Sequence, residues 1–162
     1  MRDSKTGAPI AVRNSPVHGR GVFARRALAP GSFIGHYTGR RHGEEEARER
    51  EWNDRVTYLF GLSDGSLIDG ADGGNATRYL NHCCDPNCEA IELEGADGRL
   101  EIALHTIRAV LAGDELFLDY ALTIDECTDP ADFPCACGAA QCRGTLVSSS
   151  GAQPGSTVGA SG

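Results

Sequence analysis

Seven cysteines constrain this 162-residue chain more than any other feature, because none of them precedes position 83. Three of them, Cys135, Cys137 and Cys142, form a C-x-C-x4-C pattern within CACGAAQCRG. Three thiolates this close in sequence can wrap around one tetrahedral ion, and Gly138 permits the chain to fold back on itself. A closed zinc site needs a fourth ligand, so we expect this segment to be fastened to another part of the chain.

The stretch RYLNHCCDPNC, residues 78–88, is the nearest source of a fourth ligand. Its candidate ligands are His82, Cys83, Cys84 and Cys88. The same residues could instead form a turn, or a nucleophile with its base. Adjacent side chains in an extended loop tend to point apart, whereas a nucleophile needs its base within about 3 Å, which disfavours a thiol enzyme. We expect the isolated Cys127 to be a small buried apolar group.

Length and charge limit the class of protein. A chain of 162 residues can form one well-cored domain. Fifteen Lys and Arg against twenty-three Asp and Glu give a formal net charge of −8, which argues against nucleic-acid binding and favours a basic peptide as partner. The sequence shows no apolar signal region and no run of about eighteen apolar residues, which predicts a cytoplasmic protein without membrane contact and leaves nuclear or secreted-effector targeting open.

Short apolar runs separated by glycine-rich turns predict a mostly β domain with few helical turns. The runs are IAVR, FIGHY, VTYLFGL, SLID, AIELE, LEIALH and ELFLDYA. In GEEEARERE, residues 43–51, glutamates stand four residues before arginines, which predicts a short exposed helix. The Gly-, Ser- and Ala-rich residues 148–162 predict a disordered tail.

Four segments, followed by the cysteine triplet, occur in the order found in one known family. They are HGRGVFA (18–24), YTG (37–39), RYLNHCCDPNC (78–88) and GDELFLDYA (113–121). The chain thereby resembles SET-domain protein lysine methyltransferases with a zinc-binding post-SET segment. The resemblance implies a SET fold of short strands in small sheets, with a pseudoknot through RYLN. It divides the chain into an N-terminal extension (1–9), a SET domain (10–125), a post-SET segment (126–147) and the tail.

The resemblance also implies that the chain binds S-adenosylmethionine and one structural zinc ion. Residues matched to cofactor contacts are His18, Gly19, Arg20, Tyr58, Asn81, His82 and Phe133. Residues matched to the zinc ligands are Cys84, Cys135, Cys137 and Cys142. In this match Asn81 and His82 hold the amino-acid and adenine ends of the cofactor, and Phe133 stacks on adenine. A dinucleotide crevice is disfavoured, because the glycines of HGRG are too close together for G-x-G-x-x-G.

For catalysis, the resemblance matches Tyr120 to the family's catalytic tyrosine and Tyr37 to a second hydroxyl in the lysine channel. A free lysine has a pKa of about 10.4, so its amine must lose a proton before attack. An ordinary phenol, with a pKa of about 10, is mostly protonated at neutral pH, so we interpret Tyr120 as an orienting and electrostatic group. Leu118 and Ala90 match positions that tune the number of methyl groups, and their lack of a hydroxyl favours more than one methylation.

The resemblance as a whole implies a protein-lysine N-methyltransferase that works as a monomer on a basic segment of a histone or another protein. A hypothesis from a different class is a catalytically inactive SET-like module that binds a peptide and carries a structural zinc. The presence of Tyr37, Asn81, His82 and Tyr120 together favours the enzyme.

Overall fold

The computed structural model describes residues 7–49, 58–124 and 126–148. The predicted tail beyond 148, the end of the predicted helix and the start of VTYLFGL lie outside these residues. In the described residues no helix is long and apolar enough to cross a membrane. The elements are β1 (Ile10–Asn14), β2 (Arg20–Ala24), β3 (Phe33–His36), β4 (Arg40–His42), α1 (Glu44–Glu49), β5 (Leu59–Gly61), β6 (Leu67–Asp69), β7 (Asn81–His82), β8 (Cys88–Glu94), β9 (Leu100–Thr106) and β10 (Glu115–Leu118), with 3₁₀ helices at Ala76–Tyr79 and Pro130–Asp132.

These strands form three small sheets within the described residues, in the orders β1-β2-β10-β7, β3-β9-β8 and β4-β6-β5. β1 and β2 form an antiparallel hairpin in which Ile10 faces Ala24 and Asn14 faces Arg20. The prediction of a mostly β fold of short strands in small sheets is therefore confirmed. The short helix predicted from GEEEARERE is present as α1, an exposed helix with an ion pair between Glu44 and Arg48.

The contact between β7 and β10 positions the functional site. The two strands run parallel, with Phe117 beside Asn81 and Leu118 beside His82. Parallel neighbours cannot be joined by a tight hairpin, so the chain between them must cross over. This crossing brings RYLNHCC against LFLDY, as the expected pseudoknot requires.

Within the described residues, one hydrophobic core lies between the sheets. Val22 of β2, Leu104 of β9 and Leu116 of β10 are fully buried, and Ile68 and Ile102 are 1% exposed. Burial of a leucine or isoleucine side chain contributes about 1.5–3 kcal/mol to stability. This shared core fixes the positions of the three sheets, and the strand ends and connecting loops carry the polar residues described below.

The sequence did not predict β4, because RRH has no apolar alternation. Its last residue, His42, is nevertheless completely buried. The ring Nδ1 lies 2.8 Å from Glu46 Oε1, and Nε2 lies 4.0 Å from Asp69 Oδ2. His42 therefore joins the start of α1 to β6 through polar contacts that sequence periodicity cannot show.

Candidate functional site

A cavity of about 520 Å³ lies at the edges of these elements. Its volume is typical of small-molecule sites, which span about 300–1,000 Å³. The wall contains every residue that the sequence matched to a cofactor or catalytic role: His18, Gly19, Arg20, Tyr37, Tyr58, Asn81, His82, Tyr120 and Phe133. Residues that are up to 115 positions apart (133 − 18) therefore meet around one space large enough for a cofactor.

The loop between β1 and β2 forms one wall. Gly19 has a φ of +44°, in the left-handed region that side chains rarely adopt. The Ser15 hydroxyl accepts hydrogen bonds from the amides of Val17 at 3.0 Å and His18 at 3.3 Å, and the Ser15 amide donates to Gly19 O at 2.8 Å. The loop is thus closed on itself, and it presents backbone rather than side chain at Gly19.

Asn81, the first residue of β7, fastens this loop to the central sheet. Its Nδ2 lies 3.0 Å from His18 O, 3.0 Å from Arg20 O and 2.9 Å from Glu115 Oε1. Three oxygen acceptors around one atom identify that atom as the amide nitrogen. The amide oxygen is therefore the group that Asn81 can offer to a hydrogen-bond donor in the cavity.

Sequence reasoning missed Glu115, which is buried at the start of β10. Besides accepting from Asn81, its carboxylate accepts from the Ser15 hydroxyl at 2.8 Å. Glu115 therefore ties the loop and β7 to β10. The available signal was a charged residue at the first position of the predicted strand ELFLDYA.

His82 lies between the cavity and the cysteine cluster. Its Nδ1 accepts a hydrogen bond from the Tyr120 amide at 3.0 Å, so Nε2 carries the ring proton and donates to Cys84 Sγ at 3.3 Å. Burial lowers the pKa of His82 to about 4 even though Asp119 opposes the shift, so the ring is neutral at pH 7. With both ring nitrogens engaged, His82 can reach a cofactor through its backbone or ring face.

The short distance between His82 and Cys84 corrects one expectation. Their side chains were predicted to point apart, but Nε2 and Sγ are within hydrogen-bonding distance. Cys84 lies two residues from His82, and the chain bends after β7, so the rule for adjacent residues does not apply. The pair is still unsuited to nucleophilic catalysis, because Nε2 already holds a proton and cannot take one from the thiol.

Tyr120 and Tyr37 present hydroxyl groups in the cavity wall. Tyr120 donates to Leu80 O at 2.6 Å and Tyr37 donates to Tyr58 O at 2.5 Å. Burial raises the pKa of both phenols above the ordinary value, and the Tyr120 phenol adds to the effect on Tyr37. Each hydroxyl therefore stays protonated and donates its hydrogen bond to a backbone carbonyl, so its oxygen can accept a hydrogen bond from an amine.

Four cysteine sulfurs gather at the cavity's rim. The Sγ atoms of Cys84, Cys135, Cys137 and Cys142 all lie within 4.8 Å of one another. Two of the separations, Cys84 to Cys135 and Cys135 to Cys142, are 3.8 Å. Tetrahedral zinc with Zn–S bonds of about 2.3 Å separates its ligands by about 3.8 Å. The predicted gathering of one loop cysteine with the C-terminal triplet is confirmed, and its spacing fits zinc.

Backbone amides support the cluster. The Cys84 amide donates to Cys137 Sγ at 3.5 Å, and the Arg143 amide donates to Cys84 Sγ at 3.4 Å. Burial raises the pKa of the Cys137 thiol, but hydrogen bonds from the amides of Cys84 and Ala139 reverse this, and the pKa is lower than usual. A lowered pKa favours the thiolate, which is the form that binds zinc.

The other three cysteines have different environments. Cys88 is 1% exposed, and burial raises the pKa of its thiol to about 12, so it is an apolar core residue of β8. Cys83 is also buried, with its Sγ accepting from the Asp85 amide at 3.4 Å. The prediction that Cys127 is buried was wrong. Cys127 lies in an exposed turn that precedes the 3₁₀ helix Pro130–Asp132.

The two positions matched to methylation number differ in their placement. Leu118, on β10, lines the cavity. Ala90, on β8, packs against the core and is not part of the cavity wall formed by the described residues. Leu118 is therefore the better placed of the two to limit space around an amine.

Small sheets that interlock around a cofactor-sized cavity, with a tetracysteine cluster at its rim, define the class of SET-type domains with a zinc-binding C-terminal segment. Residues 19–121 match the family described as the SET domain, and the chain belongs to that family. The predicted family and fold are thus confirmed.

Similar proteins include two histone-lysine methyltransferases. The chain is 33% identical over 138 residues to "Histone-lysine N-methyltransferase 2B" of Homo sapiens, covering 83% of this chain and 5% of that protein. It is 32% identical over 148 residues to "Histone-lysine N-methyltransferase, H3 lysine-4 specific" of Saccharomyces cerevisiae, covering 88% of this chain and 14% of that protein. The chain therefore spans a small part of the length of these relatives.

Solved structures show the same likeness. With ctPRC2 in an autoinhibited conformation bound to S-adenosylmethionine, the chain shares 29% identity and a TM-score of 0.62 over 71% of its own length and 15% of that chain. With an active polycomb repressive complex 2 in the stimulated state, it shares 30% identity and a TM-score of 0.62 over 72% of its length and 15% of that chain.

Proposed function

We propose that this chain transfers methyl groups from S-adenosylmethionine to a lysine side chain of a protein substrate. The observation that carries the proposal is the cavity itself, in which all nine residues matched to cofactor or catalytic roles share one wall. SET-family membership and the methyltransferase relatives support it.

The cavity wall fits this cofactor. Its volume suits a molecule of that size, and the Asn81 amide oxygen can accept from an ammonium group. The backbone of residues 18–20 and the Phe133 ring complete the proposed binding surface. When bound, S-adenosylmethionine supplies an electrophilic methyl group on a positively charged sulfur. We further propose that Cys84, Cys135, Cys137 and Cys142 hold one structural zinc ion, because their spacing fits tetrahedral coordination.

The protein's own residues would orient and desolvate the amine. Burial in the cavity lowers the pKa of the substrate lysine, which favours the neutral nucleophile. The oxygens of Tyr120 and Tyr37, whose protons are donated to backbone carbonyls, can accept hydrogen bonds from the amine and direct its lone pair. Neither phenol acts as a general base, because both have raised pKa values and stay protonated. Such positioning can contribute about 7 kcal/mol or more to the rate acceleration.

The proposed substrate is a basic, lysine-bearing segment of a histone or another protein. Two observations support this choice: the net charge of −8 and the histone-lysine methyltransferase names of the relatives. Leu118 lines the cavity and lacks a hydroxyl, which supports a channel that accepts more than one methyl group. We also propose that the domain acts as a monomer, in the cytoplasm or at a site to which it is targeted.

Incubation with radiolabelled S-adenosylmethionine and core histones should label a lysine in one of the histones. A lysate of the source organism serves as the second substrate pool, and mass spectrometry of the labelled peptide identifies the residue and the number of methyl groups. Wild-type protein that binds the cofactor but labels neither pool would contradict the proposed activity and support the peptide-binding alternative.

The pH dependence of the transfer rate tests the proposed role of the phenols. The initial rate should rise from about pH 7 to about pH 9.5, because the lysine loses its proton over this range while Tyr37 and Tyr120, with pKa values above the usual 10, keep theirs. Rates measured at constant ionic strength with saturating cofactor give the profile. A falling limb near pH 9, with the protein still folded, would show that a phenol ionises and that the assignment is wrong.

A further inference from the structure

An ion pair joins the post-SET segment to the residue before Tyr120. The Arg143 guanidinium donates from NH1 to Asp119 Oδ2 at 2.8 Å and from NH2 to Asp119 Oδ1 at 2.9 Å. This bidentate geometry strengthens the ion pair and fixes the orientation of the two side chains. The side chains are 22% and 33% exposed, so solvent screens the pair less than the exposed pair of Arg108 and Asp85, at 50% and 53%.

Each partner is attached to a different part of the site. Arg143 follows the cluster cysteine Cys142, and its amide donates to Cys84 Sγ. Asp119 follows the last residue of β10 and precedes Tyr120, and its carboxylate lies 3.6 Å from the His82 ring. The ion pair therefore connects the cysteine cluster to the backbone that carries the Tyr120 phenol.

A second connection runs through His82, which donates to Cys84 Sγ and accepts from the Tyr120 amide. Cys84 and Tyr120 are therefore connected twice: once through His82, and once through the ion pair between Arg143 and Asp119. One link ends at the Tyr120 amide and the other at the preceding Asp119 carboxylate, so both hold the backbone next to the Tyr120 side chain.

The backbone after Tyr120 shows why such a restraint is needed. Ala121 has a φ of +44°, the one positive value among the non-glycine residues that the structure describes. Strained conformations of this kind persist where surrounding contacts over-determine them. Asp119 Oδ1 supplies one such contact, because it accepts from the Ala121 amide at 2.9 Å.

We propose that Arg143 and Asp119 are positioning residues for methyl transfer, which clamp the strained Asp119–Ala121 turn so that the Tyr120 hydroxyl stays directed at the substrate amine. This inference rests on the proposed function. It gives the C-terminal segment a role in aligning the reaction, in addition to its contribution to the cavity wall.

The kinetic test compares Arg143→Ala with Arg108→Ala, which removes an arginine paired with an aspartate that does not contact Tyr120. Arg143→Ala should lower kcat by about 10- to 100-fold, because a displacement of the Tyr120 hydroxyl by about 1 Å is enough for such a loss. Cofactor Kd should change by less than about threefold. Arg143→Lys should recover part of the lost kcat, because the lysine ammonium keeps the positive charge but cannot make the bidentate contact of the guanidinium. Arg108→Ala should stay within about twofold of wild type.

Zinc content is measured in every variant, because Arg143 neighbours a cluster cysteine. Asp119→Asn provides the second variant, since it is outside the cluster, keeps an acceptor for the Ala121 amide and removes the charge that binds Arg143. It should lower kcat with full zinc content. Combining it with Arg143→Ala should cost little more than either change alone, because both break one interaction.

An experiment without turnover separates the clamp from the proposed activity. Tyrosine labelled with ¹³C at the ζ carbon gives one NMR signal for Tyr120, assigned by its loss in Tyr120→Phe. Arg143→Ala and Asp119→Asn should shift this signal, and Arg108→Ala should not. If the two variants shift the signal but the wild-type protein transfers no methyl group, the proposed function is contradicted and the clamp is not. An unchanged signal, with kcat within about twofold of the Arg108→Ala variant, would overturn the clamp.

Discussion

Replacing Tyr120 with phenylalanine should lower kcat by at least about 100-fold while cofactor Kd changes by less than about threefold. The change removes one oxygen atom, which in the folded protein donates to Leu80 O and can accept from the substrate amine. Loss of a single preorganised polar group at a reacting centre typically costs about 100- to 1,000-fold. Single-turnover transfer from radiolabelled cofactor, with cofactor affinity measured by titration calorimetry, separates the two effects.

Stability must be controlled in this comparison, because Tyr120→Phe leaves the Leu80 carbonyl without its donor. An unsatisfied buried acceptor costs about 1–3 kcal/mol in the free energy of unfolding, which thermal denaturation will show. Tyr79→Phe is the matched variant, since it also removes a hydroxyl from the cavity wall, but one that is 2.6 Å from the Arg78 guanidinium. We expect it to lose no more than about tenfold in kcat. Equal losses in the two variants would remove any special role for Tyr120.

The sequence motifs predicted which residues line the site more completely than they predicted the strand topology that brings those residues together. Seven of the nine cavity residues and all four cysteines lie in short ordered motifs, the exceptions being Tyr58 and Phe133, and the structure brings each set together. Motifs of this kind succeed because close approach to a ligand or metal restricts residue identity at fixed positions. The positions of the strands between them depend instead on contacts between distant residues.

β7 shows why those contacts were not predictable. It has two residues, far fewer than any periodicity requires, and it exists as a strand because it pairs with β10. Glu115 and Arg143 were missed for the same reason. Each makes its important contact with a residue distant in sequence, Asn81 for Glu115 and Asp119 for Arg143. Polar groups of this kind are visible only after the fold has brought both partners together.

Replacing Cys137 with serine should remove the zinc and, with it, most of the cofactor affinity. Three thiolates cannot close a tetrahedral structural site, and metal binding at such sites contributes about 10–16 kcal/mol that is coupled to folding. Because residues 132–137 form part of the cavity wall, including Phe133, release of this segment opens the cavity. Metal content should fall from about one equivalent to near zero, and cofactor Kd should rise by more than about tenfold.

Cys127→Ser is the control for this experiment. It makes the same chemical change in the same C-terminal region, but Cys127 is exposed and outside the four-cysteine cluster, so zinc content and cofactor Kd should match wild type. Chelation of the wild-type protein should reproduce the Cys137→Ser phenotype, and added zinc should reverse it. The core should remain folded in both cases, because Val22, Leu104 and Leu116 are buried independently of the cluster. Loss of cofactor affinity without loss of zinc would mean that Cys137 acts on the cavity directly and is not a metal ligand.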